Sequence, residues 1–110
     1  TDWCAAERER LREVHLELLE RMAHQYAARG AYDRAAQACR RALAREPTRE
    51  SLHRALMLYL WHLGRRDEAL AQFRVCVRLL GEELGVEPAP ETVHLYRRLL
   101  DAAQPTAAAP

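Results

Sequence analysis

The chain has 110 residues, 49% of them hydrophobic and 30% charged, with 17 basic against 16 acidic side chains and a net charge of +1. That balance excludes a disordered tail and a basic nucleic-acid arm, and the length allows one hydrophobic core but not two. With 20 Ala, 17 Arg, no Lys, 4 Gly and 5 Pro, the composition is that of a helix former with few interruptions.

From Ala5 to Arg29, the residues Leu11, Val14, Leu18, Leu19, Met22 and Tyr26 recur at spacings of three and four. This predicts one long amphipathic helix, capped by Asp2, stopped by Gly30 and docked at its start by Trp3. A second helix is expected from about Tyr32 to Arg45, with Ala35, Ala36, Cys39, Ala42 and Leu43 inward and Pro47 closing it. Thr48 is placed to cap a third, which turns Leu52, Ala55, Leu56, Tyr59, Leu60 and Leu63 inward and ends at Gly64. A fourth runs from about Arg66 to Leu84 on Ala69, Leu70, Phe73, Cys76, Val77 and Leu80. Gly81 inside it costs about 1 kcal/mol relative to Ala, so a bend or loosening is expected there. Two prolines hold residues 85–90 out of helical geometry, and Pro90 then suits the first position of a last helix reaching about Ala103. The expected domain is 1–103, with 104–110 a linker or disordered tail.

The longest apolar run, Ala55 to Trp61, is far short of the roughly 20 residues of a membrane span, so neither a membrane contact nor a signal peptide is expected. Cys4, Cys39 and Cys76 are odd in number and form no Cys-x-x-Cys pair, which fits a reducing cytoplasm. The chain opens on Thr1-Asp2 without an initiator Met, so a piece of a longer protein is expected.

Laid against itself at an offset of 34, the chain aligns Gly30 with Gly64, Asp33 with Asp67, Ala35 with Ala69, Cys39 with Phe73 and Ala42 with Cys76. A helix-turn-helix period of that length is the signature of tetratricopeptide units. Leu19, Met22, Tyr26, Gly30, Tyr32, Ala35, Ala42 and Pro47 stand where that repeat wants large, aromatic, turn, small and proline residues. The expected fold is therefore all-α: stacked helix-turn-helix hairpins, about five helices, a fragment of a right-handed α-solenoid. The second unit is weaker, because Gly81 replaces the closing proline and Cys76 the second alanine.

Three stretches carry a resemblance to a known family: Asp2 to Ala23, Pro47 to Phe73, and above all Leu80 to Leu100 with its Glu-Leu-Gly-Val-Glu-Pro-Ala-Pro-Glu-Thr run. The chain resembles, over about residues 2–101, the bacterial transcriptional activator domain of SARP-type regulators. The resemblance implies a tetratricopeptide-like protein-contact module that follows a winged-helix DNA-binding domain, with DNA reached only through that missing domain. It implies no catalytic residue. Ala89 stands where many relatives have Ser, which is expected to weaken the cap of the last helix.

In stacked hairpins the first helix of each pair lines a concave surface, so Glu17, Glu20, His24, Arg54, Leu58, Trp61 and His62 are the positions expected to face a protein partner. Trp61 beside Arg54 has the composition of an interface hot spot, although packing of Trp61 beneath the last helix against Tyr96 is the favoured alternative. His15, His24, His53, His62 and His94 show no metal-binding spacing, and no phosphate loop or nucleophile arrangement is present, so no catalysis, cofactor or metal is expected. Arg34, Arg40, Arg41, Arg45, Arg49 and Arg54 form a local basic excess and Glu82, Glu83, Glu87 and Glu91 an acidic end. Solvated helix faces are the favoured reading of both, with head-to-tail self-association as the alternative. The residues thus support a regulatory interaction or oligomerisation domain, contacting RNA polymerase or its sigma factor, itself, or neighbouring domains. The alternative is a tetratricopeptide adaptor or chaperone-like peptide binder outside transcription.

Overall fold

The structure, a computed structural model, describes residues 2–102; the tail expected at 104–110 lies outside them. Its order is α1 (Asp2–Ala28), α2 (Tyr32–Arg45), α3 (Glu50–His62), α4 (Arg66–Leu84) and α5 (Pro90–Asp101). Consecutive helices pack on one another, and α5 rests against both α3 and α4. The resulting stack of hairpins is elongated, 61 × 32 × 17 Å.

The repeat is visible in the turns. Gly30 and Gly64 share a φ of 79°, and each is followed by a residue whose N–H reaches back to the helix: Ala31 to Tyr26 O and Arg65 to Leu60 O, both at 2.9 Å. That is a Schellman stop used twice, and only glycine takes the left-handed φ without strain. The small residues do the work expected of them. Ala35, Ala42, Ala69 and Cys76 have no accessible surface, so neighbouring helices close to backbone distance around them.

Several local expectations are corrected. Asp2 lies inside the first turn of α1 instead of capping it, and Thr48 sits in a turn while Arg49 occupies the N-cap of α3 without a side-chain cap bond. The fourth helix runs unbroken through Gly81, which is exposed, so the glycine costs conformational entropy without interrupting the element. Trp3 docks nothing and is 73% exposed. The buried line of α1 is Leu16, Leu19 and Ala23, whereas Leu11, Val14, Leu18 and Met22 face outward. Val77 is exposed as well, while Met57 and His53 of α3 are buried.

His53 is a satisfied core histidine. Its Nε2 donates to Pro47 O at 2.7 Å, and its Nδ1 accepts from Gln72 Nε2 at 2.8 Å, which defines the neutral Nε2–H tautomer. Burial pushes its pKa below the ordinary histidine value.

The last helix is held by a polar clamp. The Glu50 carboxylate accepts from the Ala89 N–H at 2.8 Å and from the Thr92 hydroxyl. Arg54 donates to the same Thr92 Oγ1 at 2.9 Å and lies 3.6 Å from Glu91. Thr92 is fully buried. A carboxylate from α3 thus occupies the anion-favouring N-terminus of α5, where Ala89 supplies no cap of its own. At the other end Arg66 donates to Leu100 O at 3.0 Å, and between the two ends Tyr96 stacks on Phe73 with centroids 4.0 Å apart.

Candidate protein-interaction face

The seven residues expected on the concave face divide into two groups. Arg54 is committed to the clamp on α5, and Trp61 is 6% exposed and part of the hydrophobic core. Both are therefore withdrawn from the surface a partner could reach. The core around Trp61 also takes in Leu95, Tyr96 and Leu99 of α5, and the ring partner of Tyr96 is Phe73. The remaining five, Glu17, Glu20, His24, Leu58 and His62, retain accessible surface.

Glu20 and His24, one turn apart on α1, line a pocket of about 200 Å³ between α1, α2 and α3. Ala23, Cys39, Ser51, Leu52, Ala55 and Tyr59 complete its walls. Its floor is apolar and its rim carries a carboxylate, an imidazole and two hydroxyls. From Tyr59 the surface continues sideways: Tyr32 lies 6.1 Å from Tyr59 between centroids, and His62 stacks on Tyr32 at 4.5 Å and 10°. Ser51, Ala55, Leu58 and His62, spaced four, three and four, form the open line of α3 along this groove. Ser51, Ala55, Tyr59 and Tyr32 were missed by sequence reasoning. Small residues carry no signal of their own, and the two tyrosines read equally well as core.

Electrostatics make the groove a recognition surface and not a reactive one. The guanidinium of Arg49 bridges Glu20 at 2.7 Å and Glu13 at 3.0 Å, which ties α1 to the start of α3 and neutralises the pocket carboxylate. Burial pushes the Cys39 thiol up to about 12, with Glu20 adding to the effect, so no thiolate is available at neutral pH. Burial likewise raises the Tyr59 phenol. No group of three His, Cys, Asp or Glu side chains with metal-binding geometry occurs among the described residues.

The basic excess is largely internal to the fold. Arg40 lies 3.5 Å from Glu68, Arg49 pairs with Glu13 and Glu20, and Arg54 with Glu91, which leaves the neutralised arginines as inter-helix ties. Of the acidic end, Glu82 faces Arg78 one turn away at 3.3 Å. A separate open hollow of about 660 Å³ lies outside α5, lined by Glu87, Pro88, Pro90, Glu91, Val93, His94 and Arg97. No helix among the described residues is long and apolar enough to cross a membrane.

Comparison with known proteins adds a family to this geometry. The family model described as bacterial transcriptional activator domain matches residues 1–100. The regulatory protein AfsR of Streptomyces coelicolor is 38% identical over 100 residues, covering 91% of this chain and 10% of that protein. The regulatory protein AfsR of Streptomyces griseus is 40% identical over 96 residues, covering 87% of this chain and again 10% of the relative. The chain therefore spans about a tenth of the length of the curated relatives it matches.

Proposed function

The chain belongs to the bacterial transcriptional activator domain family and is a domain of the kind found in SARP-type transcription regulators; from that premise we propose that it acts as a non-catalytic protein-contact module within a cytoplasmic regulator. Its partner is the transcription machinery, RNA polymerase or its sigma factor, with self-association or contact with neighbouring domains as the other roles of the same surface. DNA is reached through a winged-helix domain outside this sequence. The observation that carries the reading is the groove. Five of the seven expected residues keep accessible surface, and a 200 Å³ pocket with an apolar floor and polar rim suits a side chain presented by another protein. Family membership weighs against an adaptor or chaperone unrelated to transcription.

The test is capture of bacterial RNA polymerase holoenzyme by the purified chain near physiological salt, with His24→Ala, Leu58→Ala and His62→Ala on the groove. Arg54→Ala and Trp61→Ala are unsuitable as groove probes, because both act on the core and on α5; they serve as unfolding controls. Loss of capture by groove variants of unchanged melting midpoint supports a machinery contact. Absence of capture by the folded chain overturns it in favour of self-association or of restraint on a neighbouring domain.

A further inference from the structure

The first helix is apolar on two sides, and only one of them is covered. At 1.5 Å per residue its 27 residues extend about 40 Å, against about 21 Å for the 14 of α2. The covered line, Leu16, Leu19 and Ala23, belongs to its C-terminal half, next to the turn that leads into α2. The uncovered line, Trp3, Leu11, Val14, Leu18 and Met22, is 73, 56, 43, 51 and 38% exposed. At 3.6 residues per turn it lies about 140° round the axis from the covered line. Isolated surface leucines need no explanation, but five large apolar residues along one line of one helix mark an interface.

The third helix shows what such a pattern means in this fold. It has a neighbour on each side, and it buries adjacent pairs, Leu52 with His53, Leu56 with Met57 and Leu60 with Trp61, so that two lines are covered at once. The first helix carries the same kind of double line with one neighbour absent.

We propose that the uncovered line seats an amphipathic helix of the same polypeptide, lying immediately N-terminal to residue 1 and running antiparallel to α1. Three observations choose this occupant. The principal helix contacts in the stack join chain neighbours, α1 to α2, α2 to α3 and α3 to α4. The covered line of α1 lies toward the end where it joins α2, whereas the uncovered line starts at Trp3, at the opposite end, where a preceding helix would join. The matched regulators are about ten times the length of the matched stretch, so polypeptides of this kind have the chain to supply it. The borders of the line carry both signs, with Glu7 and Glu17 beside Arg10 and Arg21, which suits a mixed-charge helix and not an anionic lipid surface. The seat is independent of the groove and of whichever partner the groove takes.

The experiment places the photo-crosslinking residue p-benzoylphenylalanine at Leu11 or Leu18 of the full-length polypeptide and maps the products by mass spectrometry. The expected products have monomer mass and join α1 to a segment preceding residue 1, at sites spaced three and four residues apart. Products of doubled mass, products joining α1 to a segment after residue 102, or an absence of products would each overturn the proposal. A second arm compares Leu11→Glu in the 110-residue chain and in the full-length polypeptide. The melting midpoint is expected to hold in the first and to fall by several degrees in the second. A fall in the first, or none in the second, would refute the seat.

Discussion

Removing the Glu50 carboxylate isolates the device that holds the last helix. Glu50→Ala deletes the acceptor for two hydrogen bonds, from the Ala89 N–H and from the buried Thr92 hydroxyl. A bond to a charged group contributes about 1.5–3 kcal/mol, and with the Glu50 side chain 22% exposed water moderates both, so the lower figure applies to each. The expected loss is about 3 kcal/mol, a fall of roughly 12 °C in melting midpoint for a domain of this size. Thr92→Val removes donor and acceptor together and leaves Glu50 on the Ala89 amide with Arg54 3.9 Å away, so its cost is about 1 kcal/mol. Ala89 has the extended backbone of a cap position, φ −63° and ψ 153°. Ala89→Ser in the Glu50→Ala background should therefore return about 1 kcal/mol through a local cap. The assay is thermal and denaturant unfolding of the four proteins, with amide exchange along α5. A change under about 0.5 kcal/mol for Glu50→Ala would refute the clamp and leave Leu95, Tyr96 and Leu99 as the whole of the attachment.

Three further outcomes are expected. Because the fold holds His53 neutral and lowers its pKa, its contribution is complete above the unfolded value near 6.5 and is lost as pH falls through and below it; the melting midpoint should drop from pH 8 to pH 5.5, and His53→Gln should flatten that slope. In the native chain only exposed Cys4 should react with iodoacetamide at pH 8, because burial pushes Cys39 to about 12 and Cys76 to about 11; all three should react in denaturant, and native alkylation of Cys39 or Cys76 would show the packing to be looser. Ala35→Leu and Ala69→Leu each force a larger side chain into a site with no accessible surface, costing about 1–3 kcal/mol, and an unchanged midpoint for both would contradict the close helix approach.

The architecture was legible because its determinants are local and periodic. Gly30 and Gly64 stop their helices identically, and Ala35 and Ala69 mark the same close contact one period apart. Which line of α1 faces inward was not legible. Leu11, Val14 and Leu18 keep the helical period as faithfully as Leu16 and Leu19, so periodicity alone cannot choose between them. The choice is made by the position of α2, which reaches only the C-terminal half of α1.

The candidate site was legible by helix and misread by residue, and the clamp explains why. Glu50 and Thr92 are 42 residues apart, and each taken alone is an ordinary helix-surface residue. Their meeting buries Thr92, recruits Arg54 and places α5 where it closes over the core that contains Trp61. An Arg and a Trp that by type make an interface hot spot are thereby used within the domain, and the surface left for a partner shifts to residues with weaker signatures: Glu20 and His24 at the pocket, Leu58 and His62 along α3. Residue type identifies what a side chain can do. The arrival of the last helix decides whether it is available to do it for a partner, so variants of Arg54 or Trp61 that impair regulation would report on the attachment of α5 before they report on recognition.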